Sequence, residues 1–165
     1  HARTRTDMYS GQARWDEIAS LADALDVPVV GNGDVDSGEK ARVMKEATGC
    51  AGIMIARGSH GSPWIFSQAR AALDGEPIPD DPNVTQRFEI CLEHARNGSR
   101  FETNPEKALR DFRKHLGWYT KGIPGGRNLR THLFEALSFE AVEVLLNQYL
   151  ETSRGLDVRL GVFSG

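Results

Sequence analysis

Two loops and one helix hold the residues whose types could do chemistry. The loops "GNGD", Gly31 to Asp34, and "ARGSHGSP", Ala56 to Pro63, place glycines where backbone N–H groups can approach a ligand with no Cβ in the way. An anion held like that gains from oriented amide dipoles, and Arg57 adds a charge-assisted contact to the same phosphate. Either loop alone reads equally well as a tight turn, but two of them one crossover apart favour a phosphate site. Asp34 does not meet that phosphate directly, because like charges repel. Its carboxylate is expected to fix its own loop by accepting backbone N–H groups, or to cap the helix that follows. His1, at the start of the chain, has the least support from its surroundings and reads as exposed unless context promotes it.

The helix lies in "EKALRDFRKHLGWYTKGIPGGRNLR". From Lys107 to Arg130 seven Lys and Arg residues face one acid, Asp111. At about 100° per residue, Leu109, Phe112, Leu116 and Tyr119 share a face that must pack. Lys107, Arg110, Lys114 and Lys121 gather opposite, with Arg113 and Trp118 at the margins. Charges on a helix ordinarily just meet solvent, but so one-sided a set repels itself without a polyanion. An RNA backbone, with an unstacked base against the aromatic ring, suits it.

The two loops need strands to present them. "VPVVGNGDV" and "AGIMIARG" contain apolar runs bounded by glycine, which read as strands Val27 to Gly31 and about Ala51 to Ala56, buried on both faces as in parallel sheets. "ARWDEIASLADAL", with Trp15, Ile18, Leu21, Ala22 and Leu25 at helical spacing, "SGEKARVMKEATG" and "SPWIFSQARAAL" supply the helices before, between and after them. Residues 1–74 therefore predict an α/β unit of parallel crossovers. "GEPIPDDPN", residues 75–83, is a proline-rich acidic linker. Beyond it helices are expected over about 84–98, Pro105 to Lys121 with Asn104 as N-cap, about 126–135, and Ser138 to Leu150. They form an all-α bundle domain over 84–150, and 151–165 is a weakly patterned tail, partly disordered.

The whole chain has 165 residues, 26% of them charged, and a net charge of -3, so the basic segment is a local feature and not a generally cationic surface. No apolar run reaches the roughly 20 residues that span a bilayer. No basic, apolar leader marks the chain for secretion, and a cytoplasmic location is expected. Cys50 and Cys91 stand outside any metal or disulfide spacing and read as buried thiols, so no metal site is expected. Two strands leave sheet edges exposed, and we expect a larger α/β protein or a second copy to cover them.

In order and interval, "HARTRTDMYSGQARW", "VPVVGNGDV", "GCAGIMIARGSHGSPWIF" and "RKHLGWYTKGIPGGRNLR" together resemble the C-terminal half of the bacterial tRNA-dihydrouridine synthases, NifR3-like branch. The resemblance implies the C-terminal fragment of a (β/α)8 TIM barrel followed by a helical tRNA-binding domain. The family is a set of FMN enzymes that reduce uridine in tRNA to 5,6-dihydrouridine with NADPH. Residue by residue, it places Asn32, Gly33 and Asp34 in the flavin loop after the seventh strand, Ala56 and Arg57 at the phosphate after the eighth, and His1 close to flavin and target base. It puts Arg110, Arg113, Lys114, His115, Lys121 and Arg127 in the region of the tRNA-facing surface. The family usually has Gly-Arg-Gly where this chain has "ARG", and its catalytic cysteine belongs to the half of the barrel that these motifs do not cover, so the chain alone is expected to be inactive. A free-standing RNA-binding helical module and a different flavin or phosphate-binding TIM-barrel oxidoreductase, such as a dihydroorotate dehydrogenase relative, are the alternatives.

Overall fold

The computed structural model describes residues 1–7 and 10–160. These fall into two compact units, the first from His1 to Asp81 and the second from Pro82 onward.

The first unit is mostly helical, with a small parallel sheet. Its elements run α1 (Trp15–Ala24), β1 (Val30–Asn32), α2 (Gly38–Thr48), β2 (Gly52–Met54), a 3-10 turn over Arg57–Ser59, and α3 (Ile65–Asp74). Helix α2 is set by local chemistry at both ends. The Ser37 side chain accepts from the Lys40 N–H at 3.1 Å, and Gly49 ends the helix at φ 63°. β1 and β2 pair in parallel, Val30 opposite Gly52 and Asn32 opposite Met54, with α2 as the crossover. β1 sits close on that helix: a Cβ at Gly31 would lie 3.0 Å from Cys50 Sγ and 3.1 Å from Met44 Sδ. Ile18, Ala41, Met44 and Cys50 make the centre of this core.

Both strands are shorter than the sequence predicts, and β1 starts later. Pro28 has no N–H to give a ladder, and bonding begins at the Val29 carbonyl, which accepts from the Ala51 N–H at 2.7 Å. Burial on both faces is also corrected. Val29, Ile53 and Ile55 pack toward the core, whereas Val30 is 59% and Met54 54% exposed on the other face. α1 shares this openness, because Ile18 is buried but Leu21 and Leu25 are exposed.

The second unit consists of α4 (Val84–Ser99), α5 (Pro105–Tyr119), α6 (Gly126–Glu135) and α7 (Phe139–Leu160). Asn83 and Gln86 form a reciprocal capping box at the start of α4, each side chain accepting the other's N–H at 3.0 Å. Asn104 caps α5, accepting from Lys107 N–H at 3.1 Å with Pro105 in the first turn. Leu109, Phe112, Leu116 and Tyr119 are all buried, as are Phe88, Cys91, Leu133, Val142 and Leu146 on the other helices. The expected tail at 151 is a correction: α7 continues to Leu160. One helical glycine, Gly155, costs about 1 kcal/mol, too little by itself to end a helix. Residues 161–165 lie outside the described residues. No helix among the described residues is long and apolar enough to cross a membrane.

Candidate functional site

The C-terminal ends of β1 and β2 open into a cavity of about 840 Å³. All six residues expected at the strand-end site, His1, Asn32, Gly33, Asp34, Ala56 and Arg57, line it. Their loops are held by close backbone approaches. Gly33 has φ 135°, and a Cβ there would lie 2.6 Å from the Ala13 methyl. At Gly58 a Cβ would run into the Val35 carbonyl oxygen, so the loop after β2 lies directly on the loop after β1. Ala56, by contrast, has φ -106° and is exposed, so its methyl group meets no left-handed strain. Asn32 is tied across the strand ends, its Nδ2 donating to the Met54 carbonyl at 2.8 Å.

Asp34 neither fixes its own loop nor caps α2, where Ser37 does that work. Its carboxylate reaches back to the segment after His1. Arg3 donates to both oxygens, Nη1 to Oδ1 at 2.7 Å and Nη2 to Oδ2 at 2.6 Å, and the Ala13 N–H adds a bond to Oδ2 at 2.7 Å. The Arg3 guanidinium is the buried partner, 5% exposed against 28% for Asp34, and Nη2 also donates to the Gly11 carbonyl at 2.8 Å. The hydrogen bonds from Arg3 hold the Asp34 carboxyl below its ordinary range; the Ala13 amide and the charge of Arg57, 3.7 Å away, work in the same direction against burial. Asp34 sits at φ 58°, a left-handed conformation that Asp tolerates better than most residues. The clamp thus fastens the His1 segment to the strand-end loop. Trp15 reinforces it, Nε1 donating to the Gly33 carbonyl at 3.0 Å.

His1 is exposed at the cavity wall, and the Arg3 N–H donates to its Nδ1 at 3.2 Å. A neutral ring accepting at Nδ1 carries its proton on Nε2 and presents a donor. The charged side chains lining the cavity are Arg3, Lys40 and Arg57 against Asp34 and Asp36, three cations to two carboxylates. Because Arg3 and Asp34 cancel, Arg57, whose side chain is half exposed, sets the sign: the site suits an anion. Arg3, Gly58 and Trp15 escape the sequence reading. No local signal in the sequence marks the clamp, because its two partners stand 31 positions apart.

In the second unit Arg110, Lys114, Lys121 and Arg127 are exposed. Arg113 is not: it is half-buried against α6, Nη2 donating to the Ala136 carbonyl at 3.3 Å. His115 is likewise drawn inward, stacked on Phe112 with ring centres 5.1 Å apart and edge-on to Trp118 at 4.9 Å. Lys107 pairs with Glu102, an acid outside the basic segment, and with Asp111 at 3.4 Å. The outward cationic set is thus narrower than the helical wheel suggests. Arg110 and Lys114 in the middle of α5, Lys121 in the turn after it and Arg127 at the start of α6 remain exposed, while Arg113 and His115 turn inward and Lys107 is paired.

The model of the dihydrouridine synthase family matches residues 1–153. A probable tRNA-dihydrouridine synthase of Mycobacterium leprae is 39% identical over 150 residues, 90% of this chain and 38% of the relative. A tRNA-dihydrouridine synthase B of Pseudomonas aeruginosa is 41% identical over 131 residues, 79% of this chain and 39% of its own length. A probable tRNA-dihydrouridine synthase 1 of Synechocystis is 36% identical over 154 residues, 93% and 43% of the two chains. The chain spans about two fifths of the length of these curated relatives.

Proposed function

The chain belongs to the dihydrouridine synthase family, and from that premise we propose that it forms the end of an FMN-containing (β/α)8 barrel and the helical RNA-docking domain of an enzyme that reduces uridine in tRNA with NADPH. The observation that carries this reading is the strand-end cavity, where two close-lying loops bring Asn32, Gly33, Ala56 and Arg57 to one anion-favouring rim.

The residues present fit a flavin's phosphate tail. Gly33 lets the first loop pass close to Ala13 and Gly58 lets the second lie on Val35, Arg57 supplies the charge, and Asp34, neutralised by Arg3, does not oppose it. Bound there, reduced flavin supplies the hydride that the 5,6 double bond of uridine requires. His1, with its proton on Nε2, is placed to donate a hydrogen bond to a ring carbonyl in the cavity. The exposed sheet face, Val30 and Met54, is the surface the other barrel strands would cover.

Neither cysteine supports a role in proton delivery. Cys50 and Cys91 are buried and do not line the cavity, and burial pushes the Cys91 thiol up to about 12. The acid that protonates the uracil ring therefore comes from the remaining length of the enzyme, and this chain by itself is inert. On the second unit, Arg110, Lys114, Lys121 and Arg127 meet the RNA backbone.

The test is dihydrouridine content. Expressed in a bacterial strain without dihydrouridine synthases of its own, the full-length enzyme carrying this chain restores dihydrouridine to tRNA, read by mass spectrometry of digested nucleosides. Unmodified tRNA despite soluble expression refutes the reading.

A further inference from the structure

The turn between α5 and α6, Thr120 to Gly126, is more firmly held than a connection between two helices needs. It contains Gly122 and Gly125, both with positive φ, and such a segment is intrinsically loose. Three helices nevertheless tie it down. From α4, Arg87 Nη1 donates to the Lys121 carbonyl at 3.2 Å. From α7, the Tyr149 hydroxyl donates to the Pro124 carbonyl at 2.7 Å, its ring resting edge-on against Phe88 with centres 5.7 Å apart. From α6, Arg130 Nε donates to Thr120 Oγ1 at 3.4 Å, and Thr120 is buried. Gly126 closes the turn, since a Cβ there would run into the Thr120 carbonyl oxygen.

What the turn presents is positive charge. Lys121 within it and Arg127 just after it are exposed, and no Asp or Glu occurs from Phe112 to Phe134. We infer that this turn is a preformed dock for the RNA phosphate backbone, and that Arg87 and Tyr149 are positioning residues that hold Lys121 and Arg127 at a fixed spacing without touching the RNA. The inference rests on the RNA reading above and deepens it. Fixing the turn in advance removes the ordering cost that a glycine-rich loop would otherwise meet when it binds. Contact and positioning residues then differ in an observable way, because only a contact displaces counterions from the phosphates.

The experiment measures binding of a labelled tRNA transcript to the full chain over a salt series. Lys121→Ala and Arg127→Ala each reduce the steepness of log affinity against log salt by about 0.7 to 0.9. Tyr149→Phe, which keeps the ring on Phe88, and Arg87→Met, on a different helix, weaken binding roughly threefold to tenfold at every salt concentration and leave the slope of the wild type. Circular dichroism melting of each variant confirms its fold, and either positioning variant suffices. Wild-type affinity in both folded positioning variants, or a slope reduced as by a lost contact, overturns the inference while leaving the RNA reading intact. Absence of salt-dependent binding by the wild-type chain refutes the RNA reading and the inference with it.

Discussion

Replacing Asp34 by Asn tests the clamp that joins the His1 segment to the strand-end loop. The substitution keeps the shape but removes the charge, and it sets an amide donor against a site where Arg3 and Ala13 already donate. Arg3 is left buried without a counter-charge. Breaking one partner of a fully buried pair costs about 3–5 kcal/mol. Asp34 keeps 28% of its side-chain exposure, so solvent screening reduces the expectation to about 2–3 kcal/mol. Arg3→Met costs less, about 1–2 kcal/mol, because Asp34 retains the Ala13 amide and the nearby Arg57. The double variant is less destabilised than the sum, by a coupling of about 1–3 kcal/mol. Urea unfolding reads these values from the fluorescence of Trp15 and Trp64, in a Trp118→Phe background so that the first unit alone reports. The pH dependence has a defined sign. A carboxyl held below its ordinary value of about 3.9 contributes stability that is present above that pH and lost as the pH falls through its folded value. The difference between wild type and Asp34→Asn therefore closes below pH about 4. Strict additivity, or an Asp34→Asn variant within about 0.5 kcal/mol of wild type at neutral pH, refutes the clamp.

Three further outcomes follow from particular contacts. Gly58→Ala forces a Cβ onto the Val35 carbonyl, so the two strand-end loops must part; we expect about 1–3 kcal/mol of destabilisation by urea unfolding and weaker flavin binding in the full-length enzyme. Asn83→Ala removes one half of the α4 capping box and lowers the stability of the second unit by about 1 kcal/mol, seen as an earlier thermal midpoint. The Cys91 thiol, buried and pushed up to about 12, stays unreactive toward a thiol-specific disulfide reagent at pH 8, about four units below that value, and reacts only when the chain is unfolded.

What the sequence made legible was mainly what local chemistry decides. Asn104 before Pro105 and Gly49 after Thr48 mark helix ends by side-chain and backbone rules that act within a few residues, whereas at the start of α2 the cap is Ser37 and not the expected Asp34. The apolar face of α5 was equally readable, because its period alone fixes which residues pack. Long-range pairing was not. Nothing local says that Asp34 is reserved for Arg3, 31 positions earlier, or that Arg113 turns inward to the Ala136 carbonyl. The linker shows the same limit: its acidic, proline-rich composition reads as a spacer, yet Asp81 accepts from Trp64 Nε1 at 3.0 Å and Gln68 Nε2 at 2.9 Å, which folds it back on α3. The strands were overestimated for a different reason. Apolar composition reports the environment a strand is built for, and the outer face of this sheet, Val30 and Met54, lacks its cover within the unit.

The most direct test of the account is the affinity of the full-length enzyme for FMN with and without the Arg57 guanidinium, measured by quenching of flavin fluorescence. If the strand-end cavity holds the phosphate, Arg57→Ala weakens FMN binding by about tenfold or more, the loss of a charge-assisted hydrogen bond. FMN bound equally well by Arg57→Ala and wild type would contradict it.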